Sequence, residues 1–101
     1  MPVVDRSEPF EGIVQLTMNR PSALNAMTAE LVQSLHEHLA AIAVDPTARV
    51  VVLTGSGRGF CAGLDLRGYG TAPHTEHLGR TQAGFAVQQH IASLIPALRA
   101  L

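Results

Sequence analysis

Between Leu31 and Thr54 the chain changes hydrophobic period once, and that change restricts its fold more than any other feature. Leu31, Leu35, Leu39 and Ile42 recur at spacings of four, four and three, which puts them on one face of a helix. Thr28 precedes the stripe as an N-cap, and Glu30 falls in the first turn, where a carboxylate suits the helix dipole. Asp45-Pro46 stops the helix. Val50-Val51-Val52-Leu53-Thr54 then runs apolar without alternation, the pattern of a strand buried on both faces of a parallel sheet. Upstream, Ile13 to Met18 is β-branched and mostly apolar, a strand ended by Asn19-Arg20-Pro21-Ser22. Strand, helix and strand predict an α/β fold built on a βαβ unit. Residues 28–44 are its crossover helix and residues 50–54 an interior strand.

The flanks are plainer. Val3-Val4 is a short extended segment, and Pro9 and Gly12 bracket a turn. Residues 68–79 read as a mobile loop. Phe85 or Val87, Ile91, Leu94, Ile95, Leu98 and Leu101 form a second helical stripe. Pro96 has no N–H to offer the Ala92 carbonyl, so the stripe must kink or end there.

The 101 residues suffice for one small domain. At 47% hydrophobic and 15% charged, the chain can bury a core. Its net charge of −1 and lack of a basic patch exclude a nucleic-acid binder. No apolar run is long enough to span a bilayer, and the N-terminus lacks the pattern of a signal peptide. Cys61 is the single cysteine, which excludes an internal disulfide and fits a cytoplasmic protein.

Chemistry concentrates after the second strand. Gly55-Ser56-Gly57-Arg58-Gly59 is a flexible turn, followed by Phe60-Cys61-Ala62-Gly63-Leu64-Asp65-Leu66. Small residues let a ligand approach the backbone, and N–H groups in such a turn can face a developing oxyanion. The alternative is a tight turn with a hydrophobic plug and Asp65 capping a following helix. Gly57 to Ala62 also satisfies G-x-G-x-x-A, a dinucleotide fingerprint. Against it, Gly63 and Asp65 interrupt the required helix, and no strand ending in an acidic residue follows at the right distance. His36 and His38, two apart on a helix, do not share a face. His74 and His77 have only Glu76 nearby, so no metal site is expected. Cys61 reads as a small core hydrophobe.

Two segments together are specific. Asn19-Arg20-Pro21-Ser22-Ala23-Leu24-Asn25-Ala26, then Gly59-Phe60-Cys61-Ala62-Gly63-Leu64-Asp65-Leu66, in this order around the βαβ unit, resemble the opening half of the crotonase (enoyl-CoA hydratase/isomerase) family. The resemblance implies that residues 1–101 form the N-terminal part of the crotonase-type ββα spiral, with βαβ units and a parallel sheet. It further implies an acyl-CoA thioester as substrate, with no separate cofactor. Ala23, Leu24, Ala62, Gly63 and Leu64 would line the coenzyme A site, the Leu64 backbone N–H would be an oxyanion donor, and Asp65 would be structural. The implied reaction is addition of water to a 2-enoyl-CoA through a stabilised enolate. The family's second oxyanion glycine and two glutamates fall beyond Leu101 in this pattern. The alternative is therefore a non-catalytic remnant that binds coenzyme A weakly or joins a full-length homologue. Homo-oligomers, trimers or hexamers in the family, or association through exposed apolar surface, are expected.

Overall fold

A computed structural model describes residues 2–101. Strand β1 (Val4–Phe10) pairs antiparallel with β2 (Ile13–Met18). Helix α1 (Ala29–Ala43) crosses over to β3 (Val50–Gly55), which pairs parallel with β2. The sheet order is β1-β2-β3, and the sheet is mixed: only β2 and β3 are parallel. Helices α2 (Arg80–Ala92) and α3 (Leu94–Arg99) complete the chain.

Alternation in β2 sends Val14, Leu16 and Met18 to one face, where they are buried against Leu31, Leu35, Leu39 and Ile42 of α1. These four are the residues of the 3-and-4 stripe. The Thr28 hydroxyl accepts from the Leu31 N–H at 3.3 Å, completing the expected N-cap. Val4 enters the same core from β1.

Three expectations need correction. Residues 50–54 do not form an interior strand. β3 is an edge, and Val50 and Val52 are 52% and 40% exposed. Val51 and Leu53 pack against the core instead, because α1 covers one face of the sheet and among the described residues nothing covers the other. An apolar run states which faces can be buried; it does not state lateral order. The first strand is also longer than Val3-Val4 and passes through Pro9, with the turn at Glu11-Gly12. Pro9 is tolerated because β1 is an edge and its register slips between Ser7 and Phe10. Finally, the second stripe divides. It breaks at Ser93, so Pro96 sits in the first turn of α3, where a missing N–H costs no helical bond. Leu94, Ala97 and Leu98 reach the core, but α2 buries no residue.

Polar contacts hold α2 in place. The Tyr69 hydroxyl lies 2.7 Å from His90 Nδ1, and Gln33 Oε1 lies 3.1 Å from His90 Nε2. An amide oxygen only accepts, so Nε2 carries the proton and Nδ1 accepts from Tyr69. The His36 ring stacks on His90 at 5.5 Å and reaches the His90 carbonyl and Ser93 Oγ. Burial, then the neighbouring His36, holds His90 below the ordinary imidazole range. Tyr69, Ala72 and Thr75 are buried, so the 68–79 segment is anchored at three points rather than free.

Two outcomes follow from this packing. Leu31→Ala should cost about 3 kcal/mol, measured by urea unfolding, since Leu31 has no exposed surface. His90 has a depressed pKa in the fold, so its contribution is present above the ordinary imidazole range and lost as pH falls through its lowered value. Hydrogen exchange in α2, corrected for intrinsic rates, should therefore accelerate between about pH 7 and about pH 5 while β2 stays protected. Equal protection of α2 at both values would contradict this.

Candidate active site

The site is a meeting of two turns. After β2 the chain forms a 3-10 turn, Pro21–Ala23, and then places Leu24 and Asn25 at φ of 52° and 55°. Left-handed backbone suits asparagine better than most residues, and Asn25 is fixed there from every side. Its Oδ1 accepts from the Arg20 N–H at 2.7 Å. Its Nδ2 donates to the Ser56 and Gly59 carbonyls at 3.0 and 2.8 Å. The Asn25 side chain therefore ties the turn after β2 to the turn after β3. Gly55 admits this approach: a Cβ there would meet Asn25 Nδ2 and the Phe60 carbonyl, each at 2.6 Å.

Beyond Gly59 the chain runs alongside residues 24–27. Ala62 N–H donates to the Leu24 carbonyl at 3.0 Å, Met27 N–H to Gly63 at 2.7 Å, and Asp65 N–H to Met27 at 3.0 Å. This is an isolated parallel bridge pairing Met27 with Leu64. Met27 makes both bonds of the bridge, to the two residues flanking Leu64, so the N–H of Leu64 is turned away from Met27 and has no acceptor among the described residues. Gly63 has φ of 105°, and a Cβ on it would meet nothing within 4 Å.

Ala23, Ala62 and Leu64 line one cleft of about 310 Å³, together with Ser22, Ala26 and the 65–67 turn. Leu24 is not in its lining; it packs toward Gly59 and holds Ala62 through its carbonyl. Larger clefts lie beside Ile42 and Leu98, between residues 72–78 and α2, and between Gly12 and Arg49, but none of these borders this turn.

Asp65 is 6% exposed and accepts from Arg20 Nη2 at 2.8 Å and from the Arg67 N–H at 2.8 Å. The Arg20 hydrogen bond first, then those of Arg67, hold its carboxyl well below the usual carboxylate range. It caps a turn, with Gly68 N–H returning to its carbonyl, and no helix follows it. The dinucleotide alternative fails on the same geometry, since residues 62–65 form a bend and an isolated bridge where that motif needs a helix. Cys61 is half-buried against the core and does not line the cleft.

Arg20, Asn25 and Arg67 received no role from the sequence. Arg20 and Asn25 stood inside the motif, but the partners that define their roles lie 31 to 45 positions away.

A family model described as enoyl-CoA hydratase/isomerase matches residues 8–96. The chain belongs to that family. Within it, the chain is 40% identical over 93 residues to a probable enoyl-CoA hydratase of Mycobacterium tuberculosis, covering 92% of this chain and 33% of the relative. It is 48% identical over 56 residues to the 1,2-epoxyphenylacetyl-CoA isomerase of Escherichia coli, covering 55% of this chain and 21% of the relative. The crystal structure of a probable enoyl-CoA hydratase/isomerase from Mycobacterium abscessus superposes with a TM-score of 0.85 at 31% identity, over 96% of this chain and 35% of that one. The fold is thus part of the crotonase fold, and the chain spans about a third of the length of the full-length relatives it matches.

Asn25→Ala should destabilise the chain by about 3 kcal/mol in urea unfolding, because it strands the Arg20 N–H and two carbonyls inside the turn. Asn19→Ala, at a partly exposed position, should cost less than about 1 kcal/mol.

Proposed function

We propose that the turn through Ala62, Gly63 and Leu64 supplies one half of an oxyanion site for an acyl-CoA thioester, in a protein that adds water to a 2-enoyl-CoA. The observation that carries this reading is the unpaired Leu64 N–H on a residue bordering the cleft. In hydration, the water oxygen bonds to Cβ of the enoyl group, one water proton is lost to a base, and a proton is returned at Cα. Between those events the thioester oxygen carries negative charge. A fixed donor stabilises that charge without reorganising, and removing one donor costs about 10² to 10³ in rate. A backbone donor needs no particular side chain, which is compatible with leucine at position 64.

The described residues offer this step no base. Asp65 is the one carboxylate lining the cleft, and two arginines hold it ionised and engaged. The second reading, a chain that binds coenzyme A without turnover by itself, rests on that observation. Arg67, 76% exposed at the cleft, provides a cation for the anionic part of coenzyme A. Assembly into trimers or hexamers would cover apolar surface such as Val50, Val52 and Phe10. No helix among the described residues is long and apolar enough to cross a membrane. The lone cysteine, Cys61, fits a reducing compartment such as the cytoplasm.

Calorimetry with acetyl-CoA and with free coenzyme A tests the assignment. Leu64→Ala should keep the preference for the thioester, and Leu64→Pro, which removes the N–H, should lose it. Gly63→Val should abolish binding, because φ of 105° is strained for a β-branched residue and its side chain would occupy the open space beside the donor. Crotonyl-CoA should not be hydrated above background by the 101-residue chain, for want of the roughly 10²–10⁴-fold that proton transfer contributes. Retained preference in Leu64→Pro would refute the donor assignment.

A further inference from the structure

We propose that Arg20 is a positioning residue that orients and polarises the Leu64 N–H through a relay of two peptide groups. The inference rests on the reading of Leu64 as the oxyanion donor. Its basis is the direction in which trans peptides point. Arg20 Nη1 donates to the Ala26 carbonyl. The peptide that contains this carbonyl also contains the Met27 N–H, and in a trans peptide the two point in opposite directions. The Met27 N–H donates to the Gly63 carbonyl at 2.7 Å. That carbonyl shares its peptide with the Leu64 N–H, which points away in turn. No cis peptide interrupts the described chain. The order is therefore guanidinium, Ala26–Met27 peptide, Gly63–Leu64 peptide, free donor.

The sign of the effect is fixed by the charge at the head. A cation on the Ala26 oxygen draws electron density along the chain and makes each successive N–H a stronger donor, since hydrogen bonds in series polarise one another. The relay ends on the residue that borders the cleft. The second arm of the same guanidinium holds Asp65, the residue after Leu64, at 2.8 Å. Arg20 thus grips both segments of the Met27–Leu64 bridge, one residue before Met27 and one after Leu64. The bridge has only two backbone hydrogen bonds of its own, and the guanidinium adds a fixed contact on each side of it, which sets the direction of the donor.

The test is nuclear magnetic resonance on the whole 101-residue chain, read at the Leu64 amide, with thioester preference measured in parallel. In the wild type, a scalar coupling across the hydrogen bond between Met27 nitrogen and the Gly63 carbonyl carbon should be present. Arg20→Gln, which removes the charge, should shift the Leu64 amide proton upfield, move the Met27 amide with it, and leave β2 amides in place. It should also lower the preference for acetyl-CoA over free coenzyme A several-fold. Arg20→Lys, which keeps the charge, should recover part of the Leu64 shift, an outcome that a purely structural arginine does not produce. A missing coupling in the wild type, or a Leu64 signal unmoved in Arg20→Gln, overturns the relay, and the coupling decides the matter even if Arg20→Gln fails to fold. Absence of any thioester preference in the wild type would instead refute the oxyanion reading, leaving the relay to be judged on the amide signals.

Discussion

Asn25 has no exposed surface, and its side-chain amide joins three backbone groups from two separate turns. The rest of the site depends on this contact. A buried primary amide is costly unless its hydrogen-bonding groups are used. Here Oδ1 accepts once and Nδ2 donates twice, so the residue is stable only when the turn after β2 and the turn after β3 lie in register. The left-handed backbone at Leu24 and Asn25 delivers the amide to that point. Gly55 leaves the space it enters, since a Cβ there would collide with the amide, and the Gly59 carbonyl is one of its acceptors. Once the turns are joined, residues 62–65 have a single path, beside residues 24–27.

The ionic contacts complete what the amide begins. Arg20 and Asp65 are 45 positions apart and both are mostly buried. An isolated buried pair of this kind adds little net stability, because desolvation offsets the attraction. Its value lies in geometry. The guanidinium has a fixed, planar fork of donors, so it holds two segments at a set separation. Asp65 is correspondingly unsuited to acid–base chemistry. A carboxylate held by two arginines neither gives up a proton near neutrality nor competes well for one.

How much of this could be read beforehand follows from the range of each interaction. The βαβ unit was legible because Leu31, Leu35, Leu39 and Ile42 repeat within a dozen residues and Thr28 caps them locally. The place of β3 in the sheet was not, because Val50 to Thr54 carry no mark of which neighbours they will have. For α2 the apolar stripe misled. Ile91 and Val87 fit the period, yet the helix is attached by His90, Tyr69, Gln33 and His36, whose pairing no local pattern reveals. Within the site, Ala23, Ala62 and Leu64 came from family resemblance and meet in one cleft, whereas Leu24 turned out to support the cleft from outside it. Arg20 stood in the quoted motif without a function, since its partners appear only when the two turns are folded together.

The isolated bridge also explains why a donor is free at this point at all. In a continuous ladder each interior strand uses the N–H groups of both edges, and a residue at the position of Leu64 would bond to the next strand. A segment paired on one side only leaves every second N–H unpaired. Left buried, such a group would be penalised by the loss of its hydrogen bond. Leu64 is 41% exposed and borders the cleft, so water reaches this residue. In the proposed oxyanion role, a water held there would give way to the thioester oxygen, and the direction of the bond would be set before the ligand arrives. The turn thus reconciles two demands that oppose each other elsewhere in a fold: a backbone group held rigidly, and one left without a partner.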